Sequence, residues 1–130
     1  MKKLKETDHA IVQFEEETKT LELIWKKTVT KEIYRETFLE SLDLLIKKNS
    51  ENFISDIRKE GVVGPENTKW LQENIIPKAL KSGLQKIAIV MDEDIFKEFY
   101  TENIKKAIEG NAQINLFKSM EEAYQWIKNE

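Results

Sequence analysis

Apolar and polar residues alternate in two short segments near the start of the chain. Segments 10–16 and 20–26 place apolar side chains at every second position, which is the period of a β-strand with one buried face. The polar residues Glu17-Thr18-Lys19 between them have the length of a hairpin loop. We therefore predict two antiparallel strands and expect Trp25, which continues the apolar face of the second, to lie in the core.

Helical and extended patterns then alternate to the end of the chain. We predict a helix from Thr30 to Asn49, with Tyr34, Phe38, Leu42 and Leu45 buried, and then a strand at 53–57. Helices at 66–74 and 75–82 and a strand at 85–91 follow. The rest of the chain is predicted as a helix that buries Phe96, Tyr100, Ile104 and Ala107, a strand at 112–116, and a last helix capped by Ser119 and Glu122. Pro77 removes a helical hydrogen bond, so a break is expected near Ile76. Gly83 is expected to end the second piece in the left-handed conformation.

The run Ile87-Ala88-Ile89-Val90 is apolar at every position. An uninterrupted run of this length is typical of an inner parallel strand whose two faces are both covered by helices. The whole pattern reads β-β-α-β-α-β-α-β-α, which predicts one α/β domain over residues 1–130. Its five-stranded sheet is mixed, with the first strand antiparallel, the rest parallel and helices packed on it.

Composition excludes several functional classes. The chain has 130 residues, and its 21 basic and 24 acidic residues nearly cancel to a net charge of −3, whereas duplex nucleic-acid binding relies on a basic surface. The absence of cysteine excludes disulfides and thiol chemistry. With a charged N-terminus and no apolar stretch long enough to span a bilayer, the protein is expected to be cytoplasmic.

The carboxyl ends of the parallel strands are the expected position of any site, because loops and helix N-termini meet there. Residues predicted near this edge are Asp56, Arg58, Glu66, Thr68, Trp70, Met91 and Asp92. Asp56 and Arg58 lie two positions apart, which fits either a structural ion pair or a guanidinium offered to an anion.

Other chemical signatures are weak. His9 is the sole histidine and is expected at the surface, far from the strand ends, so no catalytic relay is predicted. The acidic run Asp92-Glu93-Asp94 is read as a helix start, where negative charge is favourable. We predict no metal ion and no cofactor. Trp70 and Trp126 are expected to be partly exposed, and exposed aromatics are enriched at interfaces.

Several segments of the chain carry a family resemblance. They are Leu-Ile-Trp-Lys at 23–26, Asp-Ile-Arg at 56–58, Pro-Glu-Asn-Thr-Lys-Trp at 65–70, the run from Pro77 to Val90, and Phe-Lys-Ser-Met-Glu-Glu-Ala-Tyr-Gln-Trp-Ile at 117–127. Over residues 10–127 the chain resembles bacterial proteins of the SpoIIAA-like, or STAS/SEC14-like, group. The resemblance implies a small β/α fold without enzyme activity.

The resemblance also suggests two modes of action. In the anti-sigma-factor antagonists of this group, a serine at a helix start after the third strand is phosphorylated and switches binding to a kinase-like partner. Here Thr68 is the only hydroxyl residue of that region. In the SEC14-related branch, a pocket between helices and sheet holds a lipid or another apolar ligand.

Three hypotheses follow. The first is a non-enzymatic regulatory module that recognises a protein partner, with a homodimer expected, through residues near the strand ends. The second is a carrier of a small apolar ligand in a cleft near Trp70, Ile76, Pro77 and Met91. The third is an enzyme with Asp56 or Asp92 as a base. A closed apolar pocket of roughly 300 Å³ or more would favour the carrier.

Overall fold

The computed structural model describes residues 1–60, 64–92, 106 and 110–129. Its strands are β1 (Lys2–Glu6), β2 (Ala10–Glu15), β3 (Thr20–Trp25), β4 (Asn52–Asp56), β5 (Lys86–Val90) and β6 (Gln113–Phe117). Its helices are α1 (Lys31–Lys47), α2 (Pro65–Asn74), α3 (Ile76–Lys81) and α4 (Met120–Lys128). The six strands form one sheet in the order of the chain, β1-β2-β3-β4-β5-β6.

The predicted hairpin is confirmed, and the strand count is corrected. β2 and β3 are antiparallel, with Ala10 opposite Trp25 and Glu15 opposite Thr20. A further strand, β1, pairs antiparallel with the outer side of β2, so the sheet has six strands rather than the expected five. The pattern missed β1 because Leu4 is the one apolar residue in Lys-Lys-Leu-Lys-Glu.

The parallel part of the sheet agrees with the prediction. β3, β4, β5 and β6 pair in parallel in that order. β5 lies between β4 and β6 and is buried from Ile87 to Val90, so the continuous apolar run is an inner strand. It lies nearer one border than β3 and β4, which occupy the middle of the six.

Helices cover both faces of the sheet. On the first face, α1, α2 and α3 bury the alternating apolar residues of β2, β3 and β5. The predicted stripe of α1 is buried there, and Trp25 stacks on Tyr34 with ring centroids 5.7 Å apart. On the second face, Ala123 and Ile127 of α4 pack against β4 and β5. The parallel strands are therefore shielded as their composition requires.

Local signals place the ends of the helices. The Thr30 and Ser119 side chains accept hydrogen bonds from the backbone of Ile33 and Glu122, which caps α1 and α4. The expected break near Pro77 separates α2 from α3. Gly83 follows α3 with φ +105°, as predicted for a left-handed cap. The expected helix with Phe96, Tyr100, Ile104 and Ala107, together with Glu93 and Asp94, lies outside the described residues.

Candidate functional site

Asp56 and Arg58 form a bidentate ion pair where β4 ends. Arg58 Nε and Nη2 donate to the two carboxylate oxygens of Asp56 at 2.9 and 2.7 Å, and the Arg58 backbone N–H donates to Oδ1 at 3.2 Å. Asp56 is buried, whereas the Arg58 side chain is 38% exposed. The hydrogen bond to Asp56 raises the pKa of Arg58, and the charge of nearby Asp92 adds to this effect.

This geometry shows that Asp56 and Arg58 form the structural ion pair that was one of the two expected arrangements. Both carboxylate oxygens of Asp56 are occupied, so the pair holds the start of the loop after β4. The Arg58 side chain remains 38% exposed, so part of its guanidinium stays in contact with solvent. Asp92 is exposed at the end of the neighbouring β5, so one cation and two carboxylates lie at the edge where the strands end.

A second group of polar side chains joins the first turns of α1 and α2. Lys31 Nζ donates to Glu66 Oε1 at 3.0 Å, and Arg35 Nη2 lies 3.7 Å from the same oxygen. Arg35 Nε donates to Asn67 Oδ1 at 3.3 Å, and its guanidinium carbon lies 5.3 Å from the centre of the Trp70 ring. The hydrogen bond from Lys31 lowers the pKa of Glu66. Glu66 is 70% exposed, so these contacts lie at the surface.

Two exposed apolar residues continue from this group along α1. Leu39 is 48% exposed and Ile46 is 45% exposed. They lie four and eleven positions after Arg35, which places all three on one side of the helix. We call the surface formed by Arg35, Leu39, Ile46, Glu66 and Trp70 the α1–α2 face. It joins an aromatic ring, a guanidinium and exposed aliphatic side chains.

Three predicted site residues lie away from these groups. Thr68 is buried in the first turns of α2, where its hydroxyl donates to the Gly64 carbonyl at 3.3 Å. Met91 is buried in the core of the first face. Pro77 is exposed at the start of α3, beyond the end of α2 that is remote from the strand ends. The structure therefore does not bring all of the expected residues into one site.

The apolar cavity between the first face and the helices is small. It has a volume of about 60 Å³ and is lined by residues such as Leu42, Phe53, Leu71 and Ile76. Pockets for small-molecule ligands have volumes of roughly 300 Å³ or more, so this space is too small for one. Trp70, Pro77 and Met91 do not line it. Of the four residues expected around a cleft, only Ile76 lines this cavity, and its volume is far below roughly 300 Å³.

Sequence reasoning did not predict the burial of two acidic residues, Glu60 and Glu22. Glu60 is 2% exposed, and neither of its oxygens has a hydrogen-bond partner within the ranges described here. Burial raises the pKa of its carboxyl group to about 8. Glu22 is buried on the second face, where Gln13 Nε2 donates to it at 2.8 Å and the Tyr124 hydroxyl also donates. Burial, reinforced by this hydrogen bond, raises the pKa of Tyr124.

His9 lies closer to the strand ends than expected. The β2–β3 hairpin places the start of β2 beside the end of β3, and the Lys26 backbone N–H donates to the His9 carbonyl at 2.8 Å. His9 therefore sits at the same edge of the sheet as Asp56. The expectation of a remote position was wrong because it counted sequence distance, whereas an antiparallel pair brings opposite ends of two strands together.

The remaining tryptophan, Trp126, is half-buried. Its ring centroid lies 5.4 Å from that of Phe117 and 5.2 Å from Lys86 Nζ. Lys86 also donates to the last carbonyl groups of α4, including those of Trp126 and Ile127, which stabilises the helix end. These contacts explain the position of Trp126 by packing.

Two classes of site are not found in the described residues. No group of three or more His, Asp or Glu side chains in this part of the chain is arranged to hold a metal ion. No helix among the described elements has both the length and the apolar composition to cross a bilayer.

Comparison with protein-family models identifies a family for this chain. The family model described as SpoIIAA-like matches residues 20–128. No curated protein and no solved structure matches this chain significantly. The matched range begins at the first residue of β3, so β1 and β2 precede it.

Proposed function

Because the chain belongs to the SpoIIAA-like family, we propose that it is a non-enzymatic regulatory module that acts in the cytoplasm by binding a protein partner. The family supports a regulatory or binding role of the STAS type. The partner, the location and the contact residues are our own extension. A fold of this kind supports many functions, so the contact surface must be argued from its residues.

The observation that carries the proposal is the α1–α2 face. Trp and Arg are enriched among the residues that dominate binding energy at interfaces. Here Trp70 and Arg35 are already in contact, so little side-chain freedom is lost when a partner covers them. Leu39 and Ile46 add exposed aliphatic area beside them. A partner that buries this face removes apolar surface from water without reorganising the helices.

The edge formed by Asp56, Arg58 and Asp92 is the proposed flank of this contact. Arg58 is half-exposed and held in one orientation by Asp56, so it presents a fixed donor to a partner carboxylate or carbonyl. Glu66 links this edge to the α1–α2 face, because it lies in the first turn of α2. Thr68, Pro77 and Met91 support the fold around this surface rather than contact the partner.

A carrier of a small apolar ligand is the weaker alternative. The apolar cavity of about 60 Å³ would have to grow severalfold, by separation of α1 from α2 and α3, to hold a lipid. We therefore base the test on the protein-binding role.

Cross-linking in the native host tests the proposal. A photoreactive p-benzoylphenylalanine replaces Leu39, on the α1–α2 face, or Gln125, which is exposed on α4 at the other side of the sheet. We expect a defined cross-linked protein from position 39 and none from position 125. Ile46→Asp should abolish the cross-link from position 39, whereas the matched Gln125→Asp should leave it unchanged.

Two outcomes would contradict this proposal. Equal cross-linking from both positions would mean that the α1–α2 face has no selectivity. A cross-link from position 39 only to a second copy of the chain, with a dimer mass in native mass spectrometry, would assign the α1–α2 face to the expected homodimer and leave the protein partner without a surface. A retained apolar ligand in the same spectrum would favour the carrier.

A further inference from the structure

A larger cavity lies on the other side of α1, against the hairpin formed by β1 and β2. Its volume is about 310 Å³, and it is lined by the end of β1, the β1–β2 turn, the start of β2 and one side of α1. We call it the hairpin groove. Small-molecule sites begin at roughly 300 Å³, so this groove reaches the size of a ligand site, whereas the apolar cavity does not.

The floor of the hairpin groove is apolar. Ala10 and Val12 of β2 line it and are buried, and Ile33 of α1 lines it and is half-buried. Ala10 and Val12 are each only 3% exposed, so Ile33 offers most of the aliphatic surface that a hydrocarbon group placed here would cover. The floor therefore suits the apolar body of a small ligand.

The rim of the groove is acidic. Asp8, Glu36 and Glu40 contribute carboxylates, and Lys5 forms an ion pair with Glu40. Asp8 and Glu36 have no basic side chain within ion-pairing distance in the part of the chain that the structure describes. After the Lys5–Glu40 pair is counted, two uncompensated carboxylates remain beside the apolar floor. The charge of the rim therefore favours a cation over an anion.

We propose that the hairpin groove binds a small primary amine that carries an apolar body. The ammonium group would lie between Asp8 and Glu36, and the apolar body would lie against Ile33, over the buried floor formed by Ala10 and Val12. Four of the groove's ten lining residues come from β1 and the β1–β2 turn and two from β2, and these six precede the family match at residues 20–128. The groove is thus built jointly by the β1–β2 hairpin and α1, and it shares no residue with the α1–α2 face.

His9 gives a direct reporter for the test. It lines the groove and is the sole histidine of the chain, so its imidazole proton signal in the NMR spectrum needs no assignment. The probes are 2-phenylethylamine, 2-phenylethanol and 3-phenylpropanoate, which share a phenyl ring and a short linker but differ in charge. We expect a saturable shift of the His9 signal with the amine at millimolar concentrations, a weaker shift with the alcohol and the weakest with the carboxylate.

Matched variants separate the groove from general surface charge. Glu36→Gln removes a rim carboxylate, whereas Glu32→Gln removes an exposed acid one turn earlier on α1 that does not line the groove. Glu36→Gln should weaken binding of the amine about 2- to 5-fold, the range expected for an exposed ion pair. Glu32→Gln should leave it unchanged, and neither variant should alter binding of the alcohol. Added salt should weaken the amine alone.

Three results would overturn the proposal. One is the lack of any saturable shift of the His9 signal with the amine. Another is equal affinity for the amine and the carboxylate, which would mean that the rim does not select charge. The last is an equal loss of affinity in Glu32→Gln and Glu36→Gln, which would place the amine outside the groove.

Discussion

Glu60 holds a carboxyl group that the fold has removed from water without a hydrogen bond from the described residues. Its pKa is raised from 4.5 to about 8 by burial, so the folded protein keeps it protonated at neutral pH. Between pH 4.5 and 8 the unfolded chain releases a proton that the folded chain retains. The free energy of unfolding should therefore fall as the pH rises through this window. The stability that the protonated Glu60 gives the folded chain is fully present below pH 4.5 and is lost by about pH 8.

Glu60→Gln tests this pH dependence. Glutamine is neutral at every pH, so the variant lacks the loss of stability that wild type suffers above pH 4.5. The free energy of unfolding of the variant, relative to wild type, should rise by about 3 kcal/mol between pH 4.5 and 7. Urea unfolding followed by tryptophan fluorescence measures it. Glu73→Gln, at an exposed position of α2, is the control, and pH profiles of Glu60→Gln and wild type that run parallel would contradict the expectation.

The burial of single charged residues was the part that the sequence could not predict. Glu22 lies between Leu21 and Leu23, where the strand period places it on the face opposite their core. It is buried because α4, 102 positions away at Tyr124, reaches that second face and donates a hydrogen bond to it. No local pattern contains this contact. The Asp56–Arg58 ion pair could be predicted from the sequence, because two residues that lie two positions apart at a strand end are neighbours in space.

At the scale of elements, the sequence predicted what local chemistry determines. Thr30 and Ser119 accept hydrogen bonds at helix starts, Pro77 interrupts a helix, and Gly83 adopts a positive φ. Each effect needs only a few neighbouring residues. β1 was missed because it is a strand by pairing rather than by pattern: its backbone completes the edge of β2 while most of its side chains stay in solvent.

The two glycines that flank the α2–α3 pair should differ sharply in their tolerance to substitution. Gly83 has φ +105°, and a Cβ added to it would meet no atom within 4 Å, so any cost comes from the backbone alone. Gly83→Ala should lower the free energy of unfolding by about 1–2 kcal/mol.

Gly64 is the matched control. A Cβ there would also meet no atom within 4 Å, but its φ is −69° and it caps α2 without a side-chain hydrogen bond. Gly64→Ser should raise stability by a few tenths of a kcal/mol, because serine supplies the missing cap. Equal losses in both variants, measured by urea unfolding, would show that the backbone angle is not the cause.

At the scale of the whole molecule, the β2–β3 hairpin determines which residues lie at the same edge of the sheet. The antiparallel β2 returns His9 to the edge where β3 and β4 end. The parallel order β3 to β6 then sets Asp56 beside the end of β5. The elements were predictable, but their order in the sheet was not, because it depends on packing between distant segments. The same limit explains why the α1–α2 face, built from two helices, was recognised only through Glu66 and Trp70.

The N-terminal strand protects the sheet as well as lining the hairpin groove. Without β1, the backbone of β2 would be an exposed edge next to the buried residues Ala10, Val12 and Phe14. Exposed edges of this kind pair with other chains, and lysines on an edge strand oppose such pairing. β1 carries three lysines, at positions 2, 3 and 5, and β6 at the opposite border is followed closely by α4.

Deletion of residues 1–6 should therefore cause self-association. The shortened chain exposes the hydrogen-bonding groups of β2, and we expect its average mass in sedimentation velocity to rise with protein concentration more steeply than that of the full chain. Lys3→Ala removes the exposed Lys3–Glu6 ion pair and one of the three edge lysines but keeps the strand over β2, so it should sediment like wild type. If the shortened and full chains sediment alike at every concentration, β1 does not act as a cover for the edge, and its role narrows to the wall of the hairpin groove.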